Sequence, residues 1–247
     1  MKYPIGILDY GVGGIDLTKK VKSRNPNVPL LYFSDSGEIP YGKLSYPKLR
    51  KRVRSILDFM FLQGVEHIVV ACHSASSVIV SSDQNVTSIT KSTIQAVLDS
   101  NVKTLGIIGG GRTIRSQKYR LPFKNTDIKI KQRVAQEFSI LIEAGVVEGS
   151  NINKSIEKIL KPLKDQESIL LACTHYPVIA NQIQEYIGKE KTLIDPIEHI
   201  YGTIKPKLKN QNGKSDLFYT SGDAELMKKA AKGAFNFKIE KVKRIDI

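Results

Sequence analysis

The chain has 247 residues, 41% of them hydrophobic, enough for one large α/β domain or two of about 100–150 residues each. No apolar run approaches the roughly 20 residues that span a bilayer. Two cysteines with no secretory leader are expected in a reducing cytoplasm, so membrane transporters and disulfide-stapled secreted scaffolds are set aside. The 38 Lys and Arg outnumber 24 Asp and Glu by a formal +14, which draws anions to the surface without specifying nucleic acid.

Strands alternate with helices along the chain. Tyr3–Leu8 reads as a first strand, followed by the glycine-rich turn Asp9-Tyr10-Gly11-Val12-Gly13-Gly14 and a helix from about Asp16. A strand at Pro29–Ser34 leads into the loop Asp35 to Gly42. The helix after Ser45 carries Leu49, Val53, Ile56, Leu57 and Met60 on one face, with Lys48, Arg50, Lys51, Arg52 and Arg54 mostly turned away as a solvated basic face. A strand at Lys103–Ile108 ends in Gly109-Gly110-Gly111 and opens a second set of units, which includes a strand at Thr192–Ile194. Such alternation implies parallel sheets, and no low-complexity linker separates the halves.

The only two cysteines share one frame. Each follows a short β-branched and aliphatic run, Ile68-Val69-Val70-Ala71 before Cys72 and Ile169-Leu170-Leu171-Ala172 before Cys173. Each therefore sits at the end of a buried strand, where α/β sheets place their chemistry. Burial as packing is the plain alternative. The polar company argues otherwise: Cys72 is followed by His73-Ser74 and Cys173 by Thr174-His175, groups that hold a thiol partly as thiolate. Redox pairs place their thiols a few residues apart, and structural zinc sites cluster more ligands. Two matched thiols suggest two opposed acid/base groups. The turn Gly11-Val12-Gly13-Gly14 lacks both the dinucleotide and the P-loop spacing, and its glycines suit a carboxylate approaching backbone N–H groups. Asp9 reads equally as a helix cap, a base or an ammonium partner.

With these residues in place, the sequence resembles the cofactor-independent glutamate racemases of the aspartate/glutamate racemase superfamily over nearly its whole length. The matching stretches run in order through Ile5 to Gly14, Asp35 to Gly42, Ala71 to Ser76, Ile107 to Ser116, and Glu143-Ala144-Gly145. They continue with Leu171 to Pro177, Ile194-Asp195-Pro196 and Tyr219 to Asp223. The resemblance implies an α/β fold of two pseudo-symmetric domains with parallel-rich sheets and the active site in the cleft between them. Residues 1–97 with about 210–247 would form the first domain, and 98–209 the second. It also implies interconversion of L- and D-glutamate without metal or other cofactor, supplying D-glutamate for peptidoglycan. Inverting a stereocentre by proton transfer needs one group to remove the α-proton and another to return one from the opposite face. By the family pattern Cys72 would act on the D-isomer with Asp9 beside it, and Cys173 on the L-isomer with Glu143 and His175. Tyr10, Pro40, Tyr41, Gly42, His73, Ser74, Thr113 and Thr174 would line the pocket or hold the substrate.

The chain departs from that pattern at Tyr10, where serine is usual, at His73-Ser74 in place of asparagine and threonine, and at Gly110 in place of threonine. Tyr10 adds a ring to a small polar pocket, so its side chain points elsewhere or the ligand differs. His73 brings a titratable group next to Cys72. Glutamate is the leading substrate. A paralogue acting on aspartate or another carboxylate, and a non-catalytic protein of this fold binding acidic partners or DNA, stand as alternatives. The sequence also permits a homodimer and weak non-specific DNA association, and offers no membrane partner.

Overall fold

The structure is a computed structural model describing residues 2–210 and 215–247, so the expected chain crossover near residue 210 adjoins 211–214, outside the described residues. In the first half, β1 (Ile5–Asp9), α1 (Ile15–Arg24), β2 (Leu30–Ser34), α2 (Tyr46–Leu62), β3 (Ile68–Val70), α3 (His73–Ser76), β4 (Val86–Ser88) and α4 (Ile89–Asp99) follow in order. The second half begins β5 (Thr104–Gly109), α5 (Gly111–Arg115), β6 (Lys129–Val134), α6 (Gln136–Glu143) and α7 (Ser150–Leu160). It continues with β7 (Ser168–Ala172), α8 (Ala180–Ile187), β8 (Thr192–Ile194) and α9 (Ile197–Ile204), and the chain ends in β9 (Leu217–Thr220), α10 (Ala224–Phe235) and β10 (Val242–Arg244).

Two parallel sheets result, one ordered β10-β9-β2-β1-β3-β4 and the other β6-β5-β7-β8. The segment 2-1-3-4 of the first repeats as 6-5-7-8 in the second. In each, the strand order reverses at the opening strand, between β1 and β3 and between β5 and β7. Crevices at such reversals, outside the carboxyl ends of the strands, are where open α/β sheets bind ligands. Cys72 follows β3 and Cys173 follows β7, so both thiols stand at these reversals.

Strand burial is complete at the centre, where β1, β2 and β7 have every residue buried, as expected of sheets covered on both faces. The first strand begins two residues later than expected because Tyr3 forms only an isolated bridge to Val65. On α2, Leu49, Val53, Ile56, Leu57 and Met60 are fully buried, each burial contributing about 1.5–3 kcal/mol. The basic face of the same helix differs from expectation. Arg50 donates two 2.6 Å hydrogen bonds to Asp83, and Arg52 is bonded to the buried Asp35, so only Lys48, Lys51 and Arg54 are solvated. Helix α9 lies against α1 and α4, adding Ile200, Tyr201 and Ile204 to the core beneath β1.

Candidate active site

Asp9 ends β1 and Cys72 follows β3 after Ala71, and the parallel register Leu8↔Val70 brings the two strand ends side by side. The second half repeats this placement, with Gly109 opposite Ala172 delivering Gly110 and Cys173 to the same face. Between the halves lies a cavity with about 450 Å³ of unfilled space. Asp9, Tyr10, Pro40, Tyr41, Gly42, Cys72, His73, Ser74, Thr113, Cys173, Thr174 and His175 all border it. Glu143 does not border it and stands behind His175.

The two thiols meet different surroundings. Cys173 Sγ lies 3.6 Å from His175 Nδ1, and His175 Nε2 lies 2.6 Å from Glu143 Oε1. Burial alone would lower the basicity of His175, but its bonds to Cys173 and Glu143 and their charges hold its pKa well above the ordinary value. Burial raises the Glu143 pKa, yet the His175 bond and charge and the Val12 N–H outweigh it and leave the carboxyl below its usual range. At neutral pH His175 is therefore an imidazolium, with one N–H donated to Glu143 and the other to the Cys173 sulfur.

Around Cys72, burial and the neighbouring Asp9 carboxylate push the thiol pKa well above its ordinary value, against backbone N–H groups of Ala75 and Tyr10. Cys72 rests as a protonated thiol. His73 contributes nothing to it: its ring is bonded through Nδ1 to Tyr119 Oη at 2.7 Å, and burial lowers its pKa to about 3. The expected titratable neighbour of Cys72 is a neutral ring at working pH. Asp9 is fully buried and is pushed up to about 6 by burial, opposed by the His175 charge, the Thr174 hydroxyl and the Gly11 and Tyr10 N–H groups. It caps no helix, since the residue before α1 is Gly14 and no side chain caps that end; Oδ1 accepts from Tyr10 N at 2.7 Å, and Oδ2 has no hydrogen-bond partner of good geometry.

The glycine turn serves a purpose other than the expected one. A Cβ on Gly11 would lie 1.9 Å from Glu143 Oε1, and one on Gly13 2.2 Å from Thr174 Oγ1. These glycines admit side chains of the second half against the end of β1, and none of the turn's glycines borders the cavity. Tyr10 is turned aside, its hydroxyl donating to the Glu38 carbonyl and its ring edge-on to Tyr41 at 4.8 Å, so it walls the cavity without offering a free hydroxyl. Tyr41 is fixed in turn by its 2.6 Å bond to Asp35. Ser74 and Thr113 join the halves, hydroxyl to hydroxyl, at 3.1 Å.

Sequence reasoning missed Gln136 and Ser139, which also border the cavity. A Cβ at Gly110 would stand 3.1 Å from Gln136 Oε1, so the Gln136 side chain fills the space that a larger residue at 110 would take. Their helix follows β6, whose sequence KIKQRV is charged and largely exposed, leaving no apolar run to announce it. Tyr119 was missed because its pairing with His73 spans 46 residues. Among the described residues, no cluster of three His, Cys, Asp or Glu side chains is placed to hold a metal ion, and no helix is long and apolar enough to cross a membrane.

A repeated α/β topology presenting one free thiol from each half to a shared cavity, each beside a carboxylate or an imidazolium-carboxylate pair, defines a class of enzyme built around proton transfer. The comparisons with known proteins agree. Residues 6–200 match the Asp/Glu/Hydantoin racemase family, and the chain belongs to that family. It is 33% identical to the glutamate racemase of Thermoanaerobacter pseudethanolicus over 258 aligned residues, covering 99% of this chain and 97% of that one. Among solved structures, the glutamate racemase of Francisella tularensis subsp. tularensis in complex with D-glutamate superposes with a TM-score of 0.87 at 26% identity, covering 99% of this chain and 97% of that one. The glutamate racemase of Thermus thermophilus in complex with beta-chloro-D-alanine gives a TM-score of 0.87 at 27% identity, covering 100% of this chain and 98% of that one.

Proposed function

We propose that the chain interconverts L- and D-glutamate by direct proton transfer between two cysteines. The observation that carries this reading is that two free thiols, one from each half, border a single cavity in unlike surroundings. Cys173 Sγ lies 3.6 Å from the Nδ1 of His175, while burial and Asp9 keep Cys72 protonated. One group able to accept a proton and another able to donate one border the same cavity. With L-glutamate bound, the Cys173 thiolate removes the α-proton, and the electron pair left on carbon takes a proton from the Cys72 thiol on the opposite face. Cys173 ends as thiol and Cys72 as thiolate, with Asp9 available to hold the proton that restores it. D-glutamate reacts by the reverse steps.

Relatives named as glutamate racemases, one of them holding D-glutamate, support glutamate as substrate. The reading includes a cytoplasmic location and a supply of D-glutamate for peptidoglycan. It also includes the division into two domains at about residues 97 and 210. Activity is expected to survive dialysis against chelator and to need no added pyridoxal phosphate. The deciding experiment incubates the protein with each enantiomer of glutamate and aspartate in deuterated water and follows loss of the α-hydrogen by NMR together with optical rotation. Exchange and inversion of glutamate support the reading; inversion of aspartate alone would replace the substrate. No exchange from either amino acid would overturn the racemase reading.

A further inference from the structure

The backbone at Gly110 does not require glycine, since its φ of −64° and ψ of 157° are extended values that any residue adopts. A side chain there would meet Gln136. A Cβ at Gly110 would stand 3.1 Å from Gln136 Oε1, and one at Gly42, on the loop of the first half, 3.3 Å from the same oxygen. Two glycines, one from each half, thus leave room for a single half-buried amide that borders the cavity. The amide is held one way round. The Ser139 hydroxyl donates to the Gln136 backbone carbonyl at 2.8 Å, so its oxygen accepts from Gln136 Nε2, also at 2.8 Å, and Oε1 is left facing the Gly111 N–H at 3.4 Å. One of the two Nε2 protons is used in this way, and among the described residues the other has no acceptor. Gln136 follows β6, and the order β6-β5-β7 sets that strand two places, about 10 Å, from the strand that leads to Cys173. A substrate whose α-carbon lies between the thiols extends that far only with the end of its side chain.

We propose that Gln136 is a specificity-determining residue, whose uncommitted amide N–H holds the side-chain carboxylate of glutamate at a depth that the shorter aspartate does not reach. This deepens the racemase reading and rests on it. Gly110 and Gln136 act as a pair, the small residue making room for the polar one. Ser139 keeps the nitrogen of the amide, rather than its oxygen, on the side where a second N–H is free to donate.

The test measures glutamate and aspartate side by side on the full-length native chain and two variants, with melting temperatures to verify folding. Gln136→Leu keeps the volume and removes the donor. It is expected to raise KM for glutamate about tenfold with little change in kcat, and to leave aspartate, which makes no such bond, within about twofold of its native value. Aspartate is followed as a substrate by α-hydrogen exchange or, where exchange is slow, as a competitive inhibitor. Gln136→Glu has the same size and sets one carboxylate against another, so it is expected to weaken glutamate about a hundredfold. A purely structural role for Gln136 would instead impair both amino acids alike. Equal losses for glutamate and aspartate, or a folded Gln136→Leu with unchanged KM for glutamate, would each overturn the proposal. If Gln136→Leu does not fold, Gln136→Glu decides it by the same comparison. Failure of the racemase reading is separately visible as the absence of α-hydrogen exchange by the native chain. Calorimetric titration with glutamate still reads the contact in that case, as affinity lost between the native chain and the variants.

Discussion

Glu143 Oε1 lies 2.6 Å from His175 Nε2, yet Glu143 touches no part of the cavity. In the proposed reaction the carboxylate acts only through the imidazole, keeping it charged and aimed at Cys173. Glu143→Gln preserves a hydrogen-bonding group and removes the charge. It is expected to lower kcat/KM by about 10- to 100-fold and to move the alkaline fall of the pH profile to lower pH, because His175 then loses its proton more readily. Both directions must change equally, since enantiomers have an equilibrium constant of one. Profiles of kcat/KM against pH for native and variant check this, and an unmoved alkaline limb would contradict the assigned role.

Cys72→Ser and Cys173→Ser are each expected to reduce racemisation at least about a hundredfold, because a hydroxyl is a far weaker acid than a thiol at the same place. Neither thiol is in a disulfide, and the replacements remove little volume, so melting temperatures should stay close to that of the native protein. Circular dichroism read at the amino acid's own signal and at the protein's gives both quantities. Near-native turnover by either variant would end the two-cysteine mechanism.

Asp9, pushed up to about 6 by burial, takes up a proton as pH falls below that value. Activity is expected to fall with it, giving kcat/KM an acid limb near pH 6 in both directions. Asp9→Asn should remove that limb along with most of the activity. The same shift has a stability sign. The folded carboxyl holds its proton more tightly than the unfolded one, so its favourable contribution is complete below about 3.8 and is lost as pH rises through about 6. At pH 7 the ionised, buried Asp9 therefore disfavours the fold by up to about 3 kcal/mol. Asp9→Asn should melt higher than the native chain at pH 7 and show little difference near pH 4. Equal melting at both values would refute the burial argument.

The positive charge of the surface can be tested apart from catalysis. Arg50 and Arg52 hold Asp83 and Asp35, so changing them would loosen the fold and confuse the outcome. Lys48 and Lys51 are exposed, and changing both to Gln should weaken duplex DNA binding while leaving the melting temperature in place. Any binding by the native chain is expected to be sequence-tolerant and to weaken steeply between about 50 and 200 mM salt. Tight sequence-selective binding at the higher salt would mark a nucleic-acid role.

The apolar faces made most of the fold readable in advance. The five buried positions of α2 were visible as a helical stripe, and the strands before Cys72 and Cys173 as short aliphatic runs. The edge strand β6 was not, because one face of an edge is exposed and its residues follow solvent rather than core. Within the site, the cavity-bordering residues could be located by motif, but their protonation could not. His73 and His175 both follow a cysteine closely in sequence. One ring is buried against a phenol and held neutral, the other against a carboxylate and held charged. That difference arises from partners 46 and 32 residues away, which local sequence does not reveal.

The repeat of strand order 2-1-3-4 as 6-5-7-8 gives the cavity two walls of like construction, as suits a reaction whose product is the mirror image of its substrate. The walls are alike, but the groups beside their thiols are not. Under the proposed mechanism, converting one L-glutamate leaves the protein with its acid and base exchanged and ready for the D-isomer, so it retains a record of the last molecule it turned over. Before accepting a second L-glutamate it has to return its own proton from Cys173 to Cys72.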